Sequence, residues 1–276
     1  MDDLHRHLAP ITATAWEEID EQAKSTLKRT LAARRLVDFV GPLGWSHSAL
    51  STGRVERLAD QPHAGVAAQR RVVQPLVEFR AVFDLERSEL DAVARGARDP
   101  DLDPVREAAL AIAKAEDRTV FHGYASAGIT GIAQAADGGP LTLSEDYEQY
   151  PAVVARATAV LRAAGVDGPY AIALGPRCYA GLTQTTTSAG YPVMKNVERL
   201  VDGPVIWAPG VDGAVVVSLR GGDFELAVGR DLSIGYLAHT GTTVTLYIEE
   251  SLTFRVLGPE AAVPLVYPAA AARKGR

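Results

Sequence analysis

The stretch that most constrains this chain lies near its C-terminal end, where Thr243 to Val256 reads TVTLYIEESLTFRV. Val244, Leu246, Ile248, Leu252, Phe254 and Val256 share one parity, and Thr243, Thr245, Tyr247, Glu249, Ser251, Thr253 and Arg255 share the other. That is the period-two pattern of a half-buried strand. At about 3.3 Å per residue the run spans on the order of 45 Å, against roughly 5 to 6 residues for an ordinary strand. So long a strand predicts an extended, flat molecule that has neighbours. Glu250 alone falls on the apolar parity, and it is expected at a subunit boundary, opposite a partner's arginine.

A chain of 276 residues, 47% apolar and 22% charged, buries a substantial core as one large domain or two smaller ones. A net charge of -6 argues against a nucleic-acid binder, which carries a basic face. No apolar run reaches bilayer-spanning length, and the start, MDDLHRHLAP, lacks the basic-then-apolar order of an export signal, so a cytosolic location is expected. The single cysteine, Cys178, excludes an intrachain disulfide framework and reads as a small buried residue.

From the N-terminus, Thr14-Ala15-Trp16-Glu17 has the form of a capping box. Trp16, Ile19, Ala23, Leu27 and Leu31 then recur at helical spacing and predict a helix over residues 15–34 with a charged opposite face. Residues 51–73 contain two weak strand-like pieces around the turn-rich ADQPHAG, crowded by Arg54, Arg57, Arg70 and Arg71. A lone two-stranded arm is marginal in water, so this hairpin must lie on something else. Val77, Phe79, Ala81, Phe83 and Leu85 alternate with polar residues and are expected to share a sheet with Thr243–Val256. A short helix over 88–95 closes at Gly96, and Asp103-Pro104 opens a longer, alanine-rich one to His122, with Asp103 as its expected cap. Helical patterns at 151–164, from Pro176 and at 192–201 alternate with the apolar runs YAIAL, VIWAP and AVVVSL, which read as buried strands. Changes of character near Gly131 and Gly222 point to a second subdomain inserted into the first, and the tail AAAARKGR is expected to be disordered.

Catalytic chemistry leaves little trace. The six histidines are scattered, and His5-x-His7 lacks the companion ligands of a metal site. Gly128-Ile129-Thr130-Gly131 and Gly221-Gly222 fit neither a phosphate-binding loop nor a dinucleotide fingerprint, and no serine sits in a nucleophile elbow. The expectation is a chain with no catalytic residue, no metal and no cofactor.

Several segments are similar to those of one family. They are LAPIT with AWEEID, ARRLVD at Ala33–Asp38, EDRTVFHGYASAGITGI, GVDGPY, and RGGDFELAVGRDLSIGYLAH followed by LYIEESLTF. In this order, from Leu4 to Val266, they resemble the encapsulin shell proteins of the first family. The resemblance implies an α+β fold of the HK97 phage-capsid type. It puts a peripheral domain at 1–50, 74–131 and 221–276, an extended loop that overlaps a neighbour at 51–73, and an axial domain at 132–220. It also implies a homo-oligomeric shell in the cytoplasm, in the simplest T=1 case the sixty equivalent positions of an icosahedron. Inside it would sit a cargo enzyme, a dye-decolourising-type haem peroxidase or a ferritin-like iron oxidase, serving oxidative-stress defence or iron storage.

By the same resemblance, a C-terminal peptide of the cargo docks between the N-terminal helix and the peripheral domain, on Leu31, Arg34, Asp38, Ile234, Gly235 and Tyr236. The loop Thr185, Thr186, Thr187, Ser188, Ala189 and Gly190 falls at the five-fold pore, where hydroxyls and glycine make a narrow, weakly selective opening. Ser88 stands where some members have an aromatic residue, which speaks against a flavin. The alternatives are a phage-derived capsid protein, disfavoured by an acidic chain without a basic arm, and a secreted bacteriocin or protease, which needs an export signal and a nucleophile.

Overall fold

The computed structural model describes residues 3–268. The tail AAAARKGR, expected to be disordered, lies outside the described residues. The chain builds two five-stranded sheets, each with its own helices, and a projecting two-stranded hairpin.

Helix α1 runs from Ala13 to Thr30. It begins two residues before the expected start, because Thr12 has extended backbone and its hydroxyl accepts the Ala15 N–H at 3.3 Å. It also ends four residues before Arg34: Leu31 is extended, and a 3-10 turn follows at Ala33–Arg35. Ala15, Ile19 and Ala23 are buried, whereas Trp16, Leu27 and Leu31 are only half-buried, so part of the apolar stripe faces an opening.

The first sheet combines β1 (Asp38–Val40), β4 (Val77–Glu86), β9 (Phe224–Val228), β10 (Ser233–His239) and β11 (Thr243–Val256). The long strand β11 is its spine. Antiparallel β4 pairs with it from Thr243 to Leu252, as the alternation at Val77–Leu85 predicts. On the other side β10 takes the first half of β11 and β9 the second, so one strand of 14 residues serves two shorter ones end to end. Helix α2 (Arg87–Ala94) follows β4, and α3 (Asp103–His122) packs across the sheet with Val105, Ala109 and Ala113 fully buried. Asp103 is the first helical residue rather than the cap; Leu102 holds the cap position and Pro104 fits the first turn.

Strands β2 (Ala49–Arg57) and β3 (Gln69–Pro75) form the hairpin expected at 51–73. Its root is tied to β11 by Gln74 Nε2 donating to the Phe254 carbonyl at 2.8 Å and Arg255 Nη1 donating to that of Ser51 at 3.4 Å. Beyond the root it is exposed, including the apolar side chains of Val55, Leu58, Val66 and Val73.

The second unit follows α4 (Ile132–Ala135) and contains β5 (Leu141–Thr142), α5 (Tyr150–Ala163), β6 (Tyr170–Leu174), α6 (Pro176–Gln184), α7 (Val193–Val201), β7 (Val205–Trp207) and β8 (Ala214–Ser218). Every residue of β6 and β8 is buried, the pattern of strands covered on both faces. The fifth strand of this sheet is β12 (Ala262–Val266), which lies between β5 and β8. That departs from the sequence boundaries, which kept all of 221–276 with the first unit. The short apolar run AVPLV carries no alternation that assigns it to one sheet or the other. At the far end of the unit, Thr185–Gly190 turns tightly: the Gly190 N–H donates to the Thr187 carbonyl, and Gly190 takes φ 78°, which suits glycine.

Two hydrophobic cores result. One joins α1, α2, α3, β4, β10 and the start of β11 through Ile248; the other holds the second unit together with Leu252, Phe254 and β9. Glu250 sits between Ile248 and Leu252, on the seam between the cores, and it is fully buried.

Candidate docking groove and its charged end

A groove of about 540 Å³ opens between α1 and the edge of the first sheet. Ala23 and Leu27 of helix α1, with Leu31 just past its end, form one wall, and Ile234 of β10 with Ile248 of β11 forms the apolar floor. The N-terminal segment closes a side: Leu4 lines the groove and its carbonyl accepts the Tyr236 N–H at 2.9 Å, while Arg6 pairs with Asp20 at 2.8 Å. An apolar trough rimmed by charge, beside a sheet edge, can hold a short extended peptide with aliphatic anchors.

One end of the groove is a dense charged cluster around Arg34. Its Nε donates to both Glu116 oxygens at 2.9 and 2.8 Å, its Nη2 to Glu116 at 2.6 Å and to Glu250 at 3.0 Å, and its Nη1 to Asp231 at 2.6 Å. Glu116 and Glu250 are fully buried, Arg34 keeps 17% of its side chain exposed, and Asp231, at 43%, faces the groove. Burial opposes the charge on Arg34, but the hydrogen bond to Glu116 and the fields of Glu116, Glu250 and Asp231 outweigh it and raise its pKa. Burial first, then the field of Glu116 and hydrogen bonding with it, pushes Glu250 well above the ordinary carboxylate range, against the pull of Arg34. Such a network costs a great deal to break, because removing one partner strands the others in a dry interior.

Next to it, Asp117 explains the break after α1. Its carboxylate accepts the Ala32 N–H at 3.1 Å and the Ala33 N–H at 2.8 Å, capping the 3-10 turn that carries Arg34. Burial raises this carboxyl to about 7, although the two backbone donors favour its charged form.

Of the six residues expected to dock a peptide, the structure brings Leu31, Arg34 and Ile234 together in the groove. Asp38 lies apart: its Oδ2 accepts the Gly222 N–H at 2.6 Å, and it lines a separate recess with Arg35, Leu36 and Gly221. Gly235 and Tyr236 flank the floor without lining it. A Cβ on Gly235 would overlap the Tyr247 ring, so glycine there lets Tyr247 lie across β10. Tyr236 donates or accepts at His239 Nδ1 at 2.5 Å. Glu250, expected to meet a partner's arginine, is instead met by Arg34 of its own chain. Sequence reasoning missed Leu27 and Ile248 as lining residues because a groove wall and a core face share one periodicity. It missed Glu116 because an acidic residue on a helix reads as solvated.

Among the described residues, no cluster of His, Cys, Asp or Glu could hold a metal ion, and no helix is long and apolar enough to cross a membrane. Residues 1–253 match the family described as an encapsulating protein for peroxidase. Over 270 residues the chain is 59% identical to a type 1 encapsulin shell protein of Rhodospirillum rubrum, covering 96% of each. The chain belongs to the type 1 encapsulin shell proteins. A second encapsulin shell protein, from Mycobacterium tuberculosis, is 47% identical over 265 residues, covering 96% of this chain and 99% of its own. Two solved structures share the encapsulin chain's fold at 16% identity: a virus-like particle from Pyrococcus furiosus, with a TM-score of 0.62 over 90% of this chain and 98% of that one, and Mycobacterium phage Bobi, with 0.55 over 89% and 91%. The HK97-type capsid fold expected for an encapsulin is therefore the fold observed.

Proposed function

We propose that this chain assembles into a closed icosahedral shell of sixty copies in the cytoplasm and encloses a cargo enzyme whose C-terminal peptide docks in the groove between α1 and β10. The shell itself performs no catalysis. Its cargo is a dye-decolourising-type haem peroxidase or a ferritin-like iron oxidase, and oxidative-stress defence or iron storage follows from that cargo. A peroxidase is favoured by the family's description as an encapsulating protein for peroxidase. Within the shell, the unit built on β11 is peripheral and the unit built on β6 and β8 is axial. The exposed hairpin overlaps a neighbour, and Thr185–Gly190 rims the five-fold opening.

The observation that carries the docking role is the groove itself, where half-buried Leu27 and Leu31 face an opening floored by buried Ile234 and Ile248, beside the charged Arg34 and Asp231. Arg34 is a poor site for a test, since its loss would leave two buried carboxylates unpaired. Leu27 and Leu31 are only half-buried, so charge there spares the core. Leu27→Glu with Leu31→Glu, co-expressed with the cargo enzyme, is expected to give intact but empty shells by electron microscopy and gel densitometry. Unchanged loading would remove the groove from the docking site.

A further inference from the structure

Arg34 faces more negative charge than one guanidinium can neutralise. Glu116 reaches it from α3, Glu250 from β11 and Asp231 from the segment before β10, with Asp117 of α3 on the adjacent backbone. The remaining charges on β11 and β4 point elsewhere: Glu249 lies on the opposite face of the sheet, held between Arg80 at 2.6 Å and Arg230 at 3.4 Å. Lys24 and Lys28 of α1 line the groove that Asp231 faces, but among the described residues Arg34 is the cation that makes ion pairs with the cluster.

Glu116 and Glu250 both approach the same nitrogen, Nη2, in a fully buried space, where two like charges cannot both be held at little cost. The Oε1 of Glu250 is buried with no hydrogen-bond partner. A bare carboxylate oxygen in that position is costly, whereas a carboxylic acid leaves a smaller debt of unmet solvation. Asp231 differs from both in being partly exposed at the groove, and it holds Arg34 by a single contact through Nη1.

We propose that Glu250 is a proton-controlled counterweight to Asp231. While Glu250 is neutral, Arg34 bridges across to Asp231 and closes the charged end of the groove. When Glu250 ionises, Arg34 is drawn into the Glu116–Glu250 pair, its contact with Asp231 is released, and the end of the groove loosens. The device spans the 3-10 turn Ala33–Arg35 and the segment leading into β10, so it sets the width of the groove where an apolar anchor beside Leu31 would sit. Its sign is fixed by the chemistry: the closed form holds a proton on Glu250 opposite a charged Asp231, so closure is lost as Glu250 ionises with rising pH. The consequence for cargo rests on the docking role proposed above; the bridge itself does not.

Hydrogen–deuterium exchange on assembled, cargo-free shells tests the bridge directly, with rates corrected for the intrinsic pH dependence, over pH 5 to 10. In the natural protein, the amides of residues 231–234, which lie away from the Asp117 cap on Ala32 and Ala33, are expected to exchange at least about tenfold faster at the alkaline end than at the acid end, a tenfold shift in the open–closed equilibrium. Glu250→Gln, which keeps the shape and fixes the neutral state, is expected to exchange slowly at every pH. Asp231→Asn, a half-exposed change that leaves the buried pair intact, is expected to exchange fast at every pH. A natural protein with no pH-dependent opening, or a Glu250→Gln shell with the same pH profile as the natural one, would overturn the proposal. Either result leaves the docking role standing, which falls only if the Leu27 and Leu31 changes leave cargo loading intact.

Discussion

At the residue scale, two buried acids a helix position apart do different work. Glu116 serves as the main anchor of Arg34, whereas Asp117 caps the 3-10 turn that presents Arg34. Asp117 has its carboxyl raised to about 7 from an ordinary 3.8. A raised acid binds its proton more readily in the folded chain, so its contribution is most favourable below the ordinary value and is lost as pH rises from about 4 to 7. Asp117→Asn keeps one oxygen to accept from Ala33 and cannot titrate. Relative to this variant, the natural chain is expected to lose up to about 1.4 kcal/mol of stability per pH unit across that window and nothing further above it. Chemical denaturation at several pH values reads the difference; parallel curves for the two proteins would show that Asp117 does not titrate there. Little of this was legible in the sequence. Glu250 announced itself by breaking the alternation of Thr243–Val256, but its partner lies 216 positions away, and only the fold brings Arg34 to it.

At the element scale, periodicity carried most of what could be read. Strands β4 and β11 were legible because their alternation is long, and their pairing because both present one apolar face. Helix α3 was legible from its alanine-rich repeat and its closing Gly123. The early end of α1 was not, since the side chain that caps the turn, Asp117, comes from another helix. The place of β12 was also hidden, because a run of five apolar residues fits either sheet equally well. Asp38 was assigned to the groove by the family resemblance, yet β1 turns it to the Gly221–Gly222 loop instead. The hairpin β2–β3 gives an element-scale prediction. With its exposed apolar surface and its hydrogen bonds to the body at the root, it is expected to contribute to assembly rather than to the fold of one subunit. Replacing residues 52–72 by a short Gly-Ser linker is expected to leave circular dichroism and thermal unfolding near those of an unassembled natural chain while abolishing shells. Loss of the folded subunit, or shells of normal size, would contradict that role.

At the scale of the whole molecule, the length of β11 acquires its reason. One strand serves β10 and β9 in turn, and the second unit shares a core with the β9 end of the sheet through Phe224, Leu226, Leu252 and Phe254. The two cores meet at Glu250, where a buried ionic network replaces apolar packing and fixes one arrangement of α1, α3 and β11. A subunit of this kind tiles a surface, and heterologous contacts that close by rotation keep such tiling finite. The central claim, that the chain alone encodes a closed shell, is tested most directly by cryo-electron microscopy with mass photometry of the purified protein at neutral pH. The expected result is one population of hollow icosahedral particles with a mass near sixty times that of the chain. Monomers, small oligomers or open sheets as the stable species across salt and protein concentration would contradict it.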